Sequence, residues 1–284
     1  MTVRYWVVGP IAWDSVLQVP KLPPRGGFTQ ATAIVGRPGG AGANVAVALA
    51  SAGVPVMMVG YVGRDTAGHD LLASLRTAGV DTRHVRTVAG ATSQVLILVD
   101  QSGERTMVGL CQDELAAVPV PVEHMKPGDV VYLAGWRRSF ARHLRQLLDC
   151  RIKVVSVPAD DRGDLPAATF IVGSEHQLAG VDPATDRRYQ QALDGPTLAV
   201  VVTRGERGAR IHRRDGYVDK PAVPVKSVDA TGAGDAFAAG FLLRIGGGVP
   251  VEGAVDAGLA WAASAVTTSA SQPPPWSAVE ESLR

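Results

Sequence analysis

Val228-Asp229-Ala230-Thr231-Gly232-Ala233-Gly234-Asp235-Ala236-Phe237 is the segment from which the rest of the chain is most readily read. It follows the turn-rich region Lys220–Lys226 and opens an apolar run that continues to Ile245. Asp229 and Thr231 are residue types that cap helix N-termini by accepting from free backbone N–H groups. Gly232 and Gly234 remove side chains where the first unpaired N–H groups of a helix point outward. Those groups and the helix dipole make an anion site suited to a phosphoryl group in transit. Asp235 falls in the first turn of the same helix, where a carboxylate beside an anion site is placed to deprotonate an attacking hydroxyl. The same residues also read more simply, as a capped helix start with two packing glycines. A dinucleotide fingerprint fits poorly: Gly232-x-Gly234 runs on to Phe237 where Gly or Ala is needed, although Glu252 stands at a tempting distance. A phosphate loop ending in Gly-Lys is excluded, because none of the five lysines follows a glycine.

On either side of this segment the chain alternates apolar strands with helices. The pattern predicts strands at Val130–Leu133, Lys153–Val157, Thr169–Val172 and Leu198–Thr203, with helices at Ser139–Leu148, Thr185–Leu193, Ala233–Ile245 and Glu252–Val266. Nearer the N-terminus it predicts strands at Val3–Val8, Ala31–Val35 and Val54–Val59 and a buried helix at Ala43–Ala52. A second helix places Leu71, Leu72, Leu75 and Ala78 on one face and stops at Gly79. Such alternation argues for an α/β layer fold around a mostly parallel sheet, whose strands are covered on both faces and so read as unbroken apolar runs. Val16–Val35 and Thr92–Leu110 fall outside this rhythm and read as extra strands of a small sheet. Within them, Val95–Val99 and Arg105–Leu110 flank the hairpin signal Asp100-Gln-Ser-Gly103.

Composition removes several classes. The 284 residues carry 28 basic and 27 acidic side chains, a formal net charge of +1 that gives no footprint for nucleic acid or an anionic membrane. Two long stretches lack charge, Pro38–Gly63 and Ala257–Val279, but the first holds six glycines, Asn44 and Pro55 and the second ends in Ser-Ala-Ser-Gln-Pro-Pro-Pro. Both read as buried elements separated by breakers rather than as membrane spans. The N-terminal apolar run ends at Gly9, too early for a signal peptide. Cys111 and Cys150 are the only cysteines and form no CxxC pair, so a disulfide framework and a zinc site are not indicated and the cytoplasm is the expected compartment. No histidine lies in an H-E-x-x-H arrangement.

Asp-Ala-Thr-Gly-Ala-Gly-Asp-Ala-Phe at 229–237 resembles the C-terminal signature of the ribokinase (PfkB-type carbohydrate kinase) family. Other motifs agree in order. Gly9 with Asp14 is similar to the family's opening strand and substrate-binding aspartate. Gly39-Gly40-Ala41-Gly42-Ala43-Asn44 resembles its Gly-Gly…Asn signature. Gly60-Tyr-Val-Gly63-Arg-Asp65, Gly79-Val80-Asp81, Gly103-Glu104-Arg105-Thr106 and Thr203-x-Gly205-x-x-Gly208-Ala209 continue the likeness over essentially the whole chain. The resemblance implies a ribokinase-like three-layer fold as one domain, 1–284, with a small β-sheet lid drawn from about 14–36 and 91–110. It implies an ATP-dependent kinase that phosphorylates a hydroxymethyl group of a sugar or sugar-like molecule. A nucleoside kinase on the same scaffold is the alternative, and a catalytically weak sugar- or nucleotide-binding regulator is the reading from another class.

Residue by residue, the resemblance assigns Asp235 as the general base and Gly232, Ala233 and Gly234 as the anion hole. It assigns Asp14, Gly39, Gly40 and Asn44 to the acceptor hydroxyls, with Arg105 of the lid hairpin as either a ligand contact or an exposed strand charge. Thr203, Gly205, Gly208 and Thr231 fall on the nucleotide side. ATP and Mg²⁺ are the implied cofactors. Asp229 and Thr231 match positions that bind a monovalent cation such as K⁺ in some members, although capping explains them too, and the cation loop departs from pattern at Thr268-Ser269-Ala270-Ser271-Gln272-Pro273. The family's Asn-x-x-Glu motif is replaced by Gly173-Ser174-Glu175-His176. There Glu175 either holds a Mg²⁺-bound water or forms a helix-start pair with Ser174. Gly135-Trp136-Arg137-Arg138 faces substrate or is a solvated basic turn, and Trp13 and Phe28 stack on a ligand or cover the small sheet. In this family the lid often meets a partner's lid, which points to a homodimer.

Overall fold

A computed structural model describes residues 2–101, 105–110, 118–135, 137–158, 165–268 and 272–281. In chain order the strands are β1 (Tyr5–Val8), β2 (Ala12–Gln18), β3 (Ala33–Gly39), β4 (Val56–Gly63), β5 (Asp81–Val88), β6 (Gln94–Val99), β7 (Arg105–Leu110), β8 (Val130–Leu133), β9 (Lys153–Ser156), β10 (Phe170–Ser174), β11 (Ala199–Thr203), β12 (Ala209–Arg213) and β13 (Gly216–Lys220). The α-helices are α1 (Ala41–Ser51), α2 (Thr66–Thr77), α3 (Ala141–Asp149), α4 (Glu175–Leu178), α5 (Arg187–Asp194), α6 (Ala233–Gly246), α7 (Val251–Ala265) and α8 (Ser277–Glu280).

Nine strands form the main sheet in the order β13-β12-β11-β10-β9-β8-β1-β4-β5. It is parallel from β11 to β5, and the hairpin β12–β13 adds antiparallel to one edge. The unbroken apolar runs have a direct cause. Tyr5 and Val7 of β1, Val130 and Tyr132 of β8, and Ala199 and Val201 of β11 face one core with α1, α6 and α7. Their neighbours Trp6, Val8, Val131, Leu133, Val200 and Val202 face the opposite core with α3 and α5. Alternate residues thus bury on opposite faces, and neither face is left for polar side chains. A four-stranded sheet, β3-β2-β6-β7, stands apart and accounts for the segments that broke the rhythm.

Three strands were not anticipated. β5 reads Asp-Thr-Arg-His-Val-Arg-Thr-Val, and as the edge strand of the main sheet it is half-exposed and carries no apolar run. β12 and β13 are joined through Arg214-Asp215 into Gly216, a short turn signal inside a mostly polar stretch. The strand expected at Ala31–Val35 runs instead from Ala33 to Gly39, and its Pro38 is tolerated because β3 is an edge. The charge-free stretches resolve into β3, α1 and β4, and into α7 and α8. Among the described residues no helix is long and apolar enough to cross a membrane. Trp13 lies across Gly36 on the small sheet, whereas Phe28 is 87% exposed and covers nothing. Cys150 is an exposed free thiol. Cys111, Gly103, Glu104, Trp136 and Ser269–Ser271 lie outside the described residues.

Candidate active site

The parallel strands β8, β9, β10 and β11 end at one edge, and α6 begins there. Between them is a cavity of about 670 Å³, whose walls include Tyr132, Ser174, Glu175, Thr203, Gly205, Gly234 and Asp235. This is the carboxyl edge of an open α/β sheet, where ligands bind because several loops and a helix N-terminus converge.

α6 begins at Ala233, and its N-cap is Gly232, in the left-handed region at φ 75°. Asp229 and Thr231 therefore do not cap the helix directly. Asp229 Oδ1 instead accepts the Thr231 N–H at 2.6 Å, one step earlier, and so shapes the turn that delivers Gly232. The amides differ in availability. The Ala233 N–H turns back to the Ala230 carbonyl at 3.3 Å and is engaged in the turn. No intramolecular partner holds the N–H of Gly232, Gly234 or Asp235 among the described residues. At Gly234 a Cβ would meet nothing within 4 Å, so packing does not demand glycine there; the bare backbone faces open space on the cavity wall.

Asp235 sits on that wall beside Gly234. Burial raises its carboxyl to about 7, the Asn44 hydrogen bond pulls it down, and the negative charge of Asp14 pushes it up. Asn44 Nδ2 donates to Asp235 Oδ2 at 2.8 Å. Asn44 is 5% exposed, and its Oδ1 is a buried acceptor with no partner in the protein. Such an atom is expensive to bury unless a ligand or water donates to it. Asn44 owes its position to α1, which starts after Gly40 at φ 92°; a Cβ on Gly40 would lie 2.7 Å from the Pro10 carbonyl.

Asp14, on β2, is 6% exposed and lies directly opposite Arg37 on β3. Burial raises its carboxyl, against the opposing charge of Arg37. Gly39 is where it is because a Cβ there would come within 2.3 Å of the Asp14 carboxyl atoms. Asn44 thus reaches Asp235 by a hydrogen bond and Asp14 by its charge, with Gly39 packed against the Asp14 carboxyl.

Thr203 and Gly205 line the cavity as expected, and Thr231 does not; its N–H is committed to Asp229. Gly208 is also off the wall. At φ 79° its Cβ would sit 2.0 Å from the Lys220 carbonyl, so close approach of the start of β12 to the end of β13 by itself requires glycine there. Arg105 is neither on the cavity wall nor an exposed strand charge: it makes an ion pair with Asp229. Burial pushes the Asp229 carboxyl up, but the Thr231 amide and the Arg105 guanidinium outweigh it and hold the group below the usual carboxylate range. The cation that Asp229 meets among the described residues is thus the Arg105 guanidinium.

The divergent motif also resolves differently. Ser174 is the N-cap of α4 and Gln177 its third residue, bonding reciprocally in a capping box: Ser174 N–H to Gln177 Oε1 at 2.9 Å and Gln177 N–H to Ser174 Oγ at 3.2 Å. The four-residue frame is Ser174–Gln177, not Gly173–His176, and both ends are neutral. Glu175 does line the cavity, but its Oε2 is 2.5 Å from Arg207. Among the described residues no three His, Cys, Asp or Glu side chains cluster to hold a metal. Sequence reasoning missed Tyr132 and Arg37. Tyr132 lines the cavity near the end of β8, with its hydroxyl pushed up by burial and by the charge of Asp235; Arg37 is legible only once β2 and β3 are paired.

Residues 5–278 match the pfkB family carbohydrate kinases. The chain belongs to that family. Among its relatives, the protein described as ATP-dependent ribose-1-phosphate kinase of Halopiger xanaduensis is 33% identical over 250 residues, covering 84% of each chain. The fold of this pfkB-family kinase is shared by Arabidopsis thaliana ribokinase complexed with ribose and ATP, at a TM-score of 0.80 and 21% identity, covering 100% of this chain and 99% of that one. It is shared equally by the Burkholderia thailandensis nucleoside kinase in complex with inosine, at a TM-score of 0.81 and 20% identity, covering 99% and 95%.

Proposed function

We propose that this kinase transfers the γ-phosphoryl group of ATP to a hydroxymethyl group of a sugar or sugar-like acceptor, with Asp235 as general base. The observation that carries the reading is the placement of Asp235: a carboxyl raised to about 7, oriented by Asn44, on a cavity wall beside the open amide of Gly234. A base with a pKa near neutrality combines a usable ionised fraction with enough basicity to take a proton. Asp235 takes the hydroxyl proton as the acceptor oxygen attacks the γ-phosphorus, and the bond from that phosphorus to the bridging oxygen breaks, releasing ADP. The N–H groups of Gly232 and Gly234 face the charge that develops on the moving group.

Asp14 and the Asn44 Oδ1 hold acceptor hydroxyls, the first as a double acceptor and the second through its unsatisfied lone pairs. Thr203 and Gly205 lie along the nucleotide. Mg²⁺ would neutralise phosphate charge when bound, but the described residues do not form a protein-held site for it, because Glu175 is paired with Arg207 and Ser174 and Gln177 are neutral. Mg²⁺ therefore enters as part of the nucleotide complex, carried mainly by phosphates and water. The small sheet acts as a lid over the acceptor, excluding water from the transfer. Its exposed Ile34, Val108 and Leu110 share one face of the small sheet, through which a second copy docks, a homodimer that sedimentation would reveal and an Ile34→Asp, Val108→Asp variant would dissociate.

A nucleoside kinase is the second reading, because the acceptor-side residues suit a ribose whether or not it carries a base; the inosine-bound structural relative favours keeping it. An ADP-release assay over ribose, ribose 1-phosphate, fructose, adenosine, inosine and cytidine separates the readings. Release with one acceptor names the substrate class. No release with any, together with saturable binding of ATP, would instead make the chain a binding regulator.

A further inference from the structure

The pair Arg105–Asp229 is not used in the reaction described above, yet it joins the two sheets at the most sensitive place in the molecule. Arg105 is the first residue of β7, on the edge of the small sheet, and Asp229 lies in the main body four residues before α6. Asp229 is 9% exposed and held at three points. Its N–H donates to the Val266 carbonyl at the end of α7 at 3.1 Å. Its Oδ1 accepts the Thr231 N–H at 2.6 Å, and Oδ2 meets the Arg105 guanidinium. Two of these contacts are internal to the body. The third comes from the small sheet alone.

We infer that Arg105 is a positioning residue through which the seating of the small sheet completes the anion hole. This rests on the kinase reading and deepens it. The guanidinium acts in two ways. It holds the Asp229 carboxylate in the orientation that accepts from Thr231, and so keeps the turn that places Gly232 in the left-handed region with its N–H bare. It also cancels a buried negative charge that would otherwise stand a few residues from the place where the phosphoryl group must sit. Without Arg105 the turn loses an anchor and the hole faces an uncompensated carboxylate, so transfer is slow until β7 delivers its charge.

The test is a double-mutant cycle, Arg105→Ala, Asp229→Asn and both together, read by steady-state kinetics and by amide hydrogen exchange of residues 229–235 without ligands. Thermal melts establish that each variant is folded, and Arg105→Lys, which keeps the charge, serves if the alanine variant is not. Expected are at least a tenfold fall in kcat for Arg105→Ala with the acceptor KM within about threefold, and exchange faster by at least tenfold at the held amides of the turn, Asp229, Thr231 and Ala233. The double variant should recover most of the lost kcat, because the neutral amide needs no counter-charge. A double variant no better than Arg105→Ala would mean that the arginine acts on the substrate's phosphate and not through Asp229, and would overturn the inference. Unchanged exchange in a folded Arg105→Ala would overturn it too. If the parent chain phosphorylates nothing, the kinase reading fails, while the exchange arm still decides whether Arg105 holds the turn.

Discussion

Replacing Asn44 with alanine tests the assignment of Asp235 through the pH dependence it imposes. Asn44 Nδ2 donates to Asp235 Oδ2 at 2.8 Å, and that bond favours the charged carboxylate, opposing the effect of burial. A hydrogen bond to a charged group contributes about 1.5–3 kcal/mol, and one pH unit of titration corresponds to about 1.4 kcal/mol. Losing the bond should therefore move the titration of Asp235 upward by about one to two pH units, toward the lower end if water takes the place of the amide. The sign follows from the chemistry. A general base works ionised, so kcat/KM of the parent should rise with pH, reach half its plateau near pH 7 and stay level above it. In Asn44→Ala the same limb should move to higher pH, giving a deep deficit at pH 7 that shrinks on going to pH 9.5. Loss of Oδ1 as a hydroxyl acceptor lowers affinity at every pH, but it does not move the midpoint. The assay is ADP release at subsaturating acceptor from pH 5.5 to 9.5. A midpoint that stays where it is in the parent would refute the assignment, because no other described hydrogen-bond donor holds the Asp235 carboxylate.

Three further outcomes are expected. Asp235→Asn should lower kcat by at least about a hundredfold while ATP binding, measured by calorimetry, persists; because the native carboxyl is raised from its unfolded value to about 7, its ionisation opposes folding, so the variant should melt higher than the parent at pH 8 and match it near pH 4. Gly234→Ala should leave stability unchanged or raise it by up to about 1 kcal/mol, since alanine is the better helix residue and its methyl meets no protein atom within 4 Å; the same methyl stands on the cavity wall, so turnover should fall well below the parent, as the ADP-release assay would show. Gly208→Ala should do the reverse of a nucleotide-site change: with φ at 79° and the Lys220 carbonyl 2.0 Å from the new carbon, it should depress the melting temperature of the apo protein sharply.

The main sheet was legible because both of its faces are buried. Val130–Leu133 appears as the strand it was read to be, since every residue in it has an apolar neighbour on one side or the other. β5 and β13 were not, because edge strands face water and carry Arg, His, Asp and Lys where a buried strand would carry Val, and β12, although inside the sheet and largely buried, is short and broken by Arg210, His212 and Arg213. The site divided along a similar line. Asp235 and Gly234 could be placed from local spacing, since a helix start fixes them, whereas Thr203 and Gly205 came from the family resemblance at a strand end. Asn44 was placed, but its bond to Asp235 spans 191 residues and no local pattern contains it. Arg37 opposite Asp14, and Arg105 on Asp229, exist only through strand register and the packing of two sheets. At Gly208 the sequence is ambiguous for the complementary reason: a glycine kept for close backbone approach looks the same as one kept for a phosphate.

Three aspartates converge on the site, and what each is given explains which of them does the chemistry. Asp229 faces the Arg105 guanidinium and the Thr231 amide and is held ionised below the usual range. Asp14 faces Arg37 across the small sheet, which partly offsets its burial. Among the described residues Asp235 has no cation at all; it receives one amide hydrogen bond and the repulsion of Asp14. A carboxylate held by a guanidinium is a poor base, because protonation sacrifices the pair. The carboxylate that is denied one is left with its proton affinity raised into the working range of pH. Arg105 thus fixes the Asp229 charge and Arg37 offsets part of the burial of Asp14, and on the reading proposed above proton transfer falls to the carboxyl that neither arginine reaches.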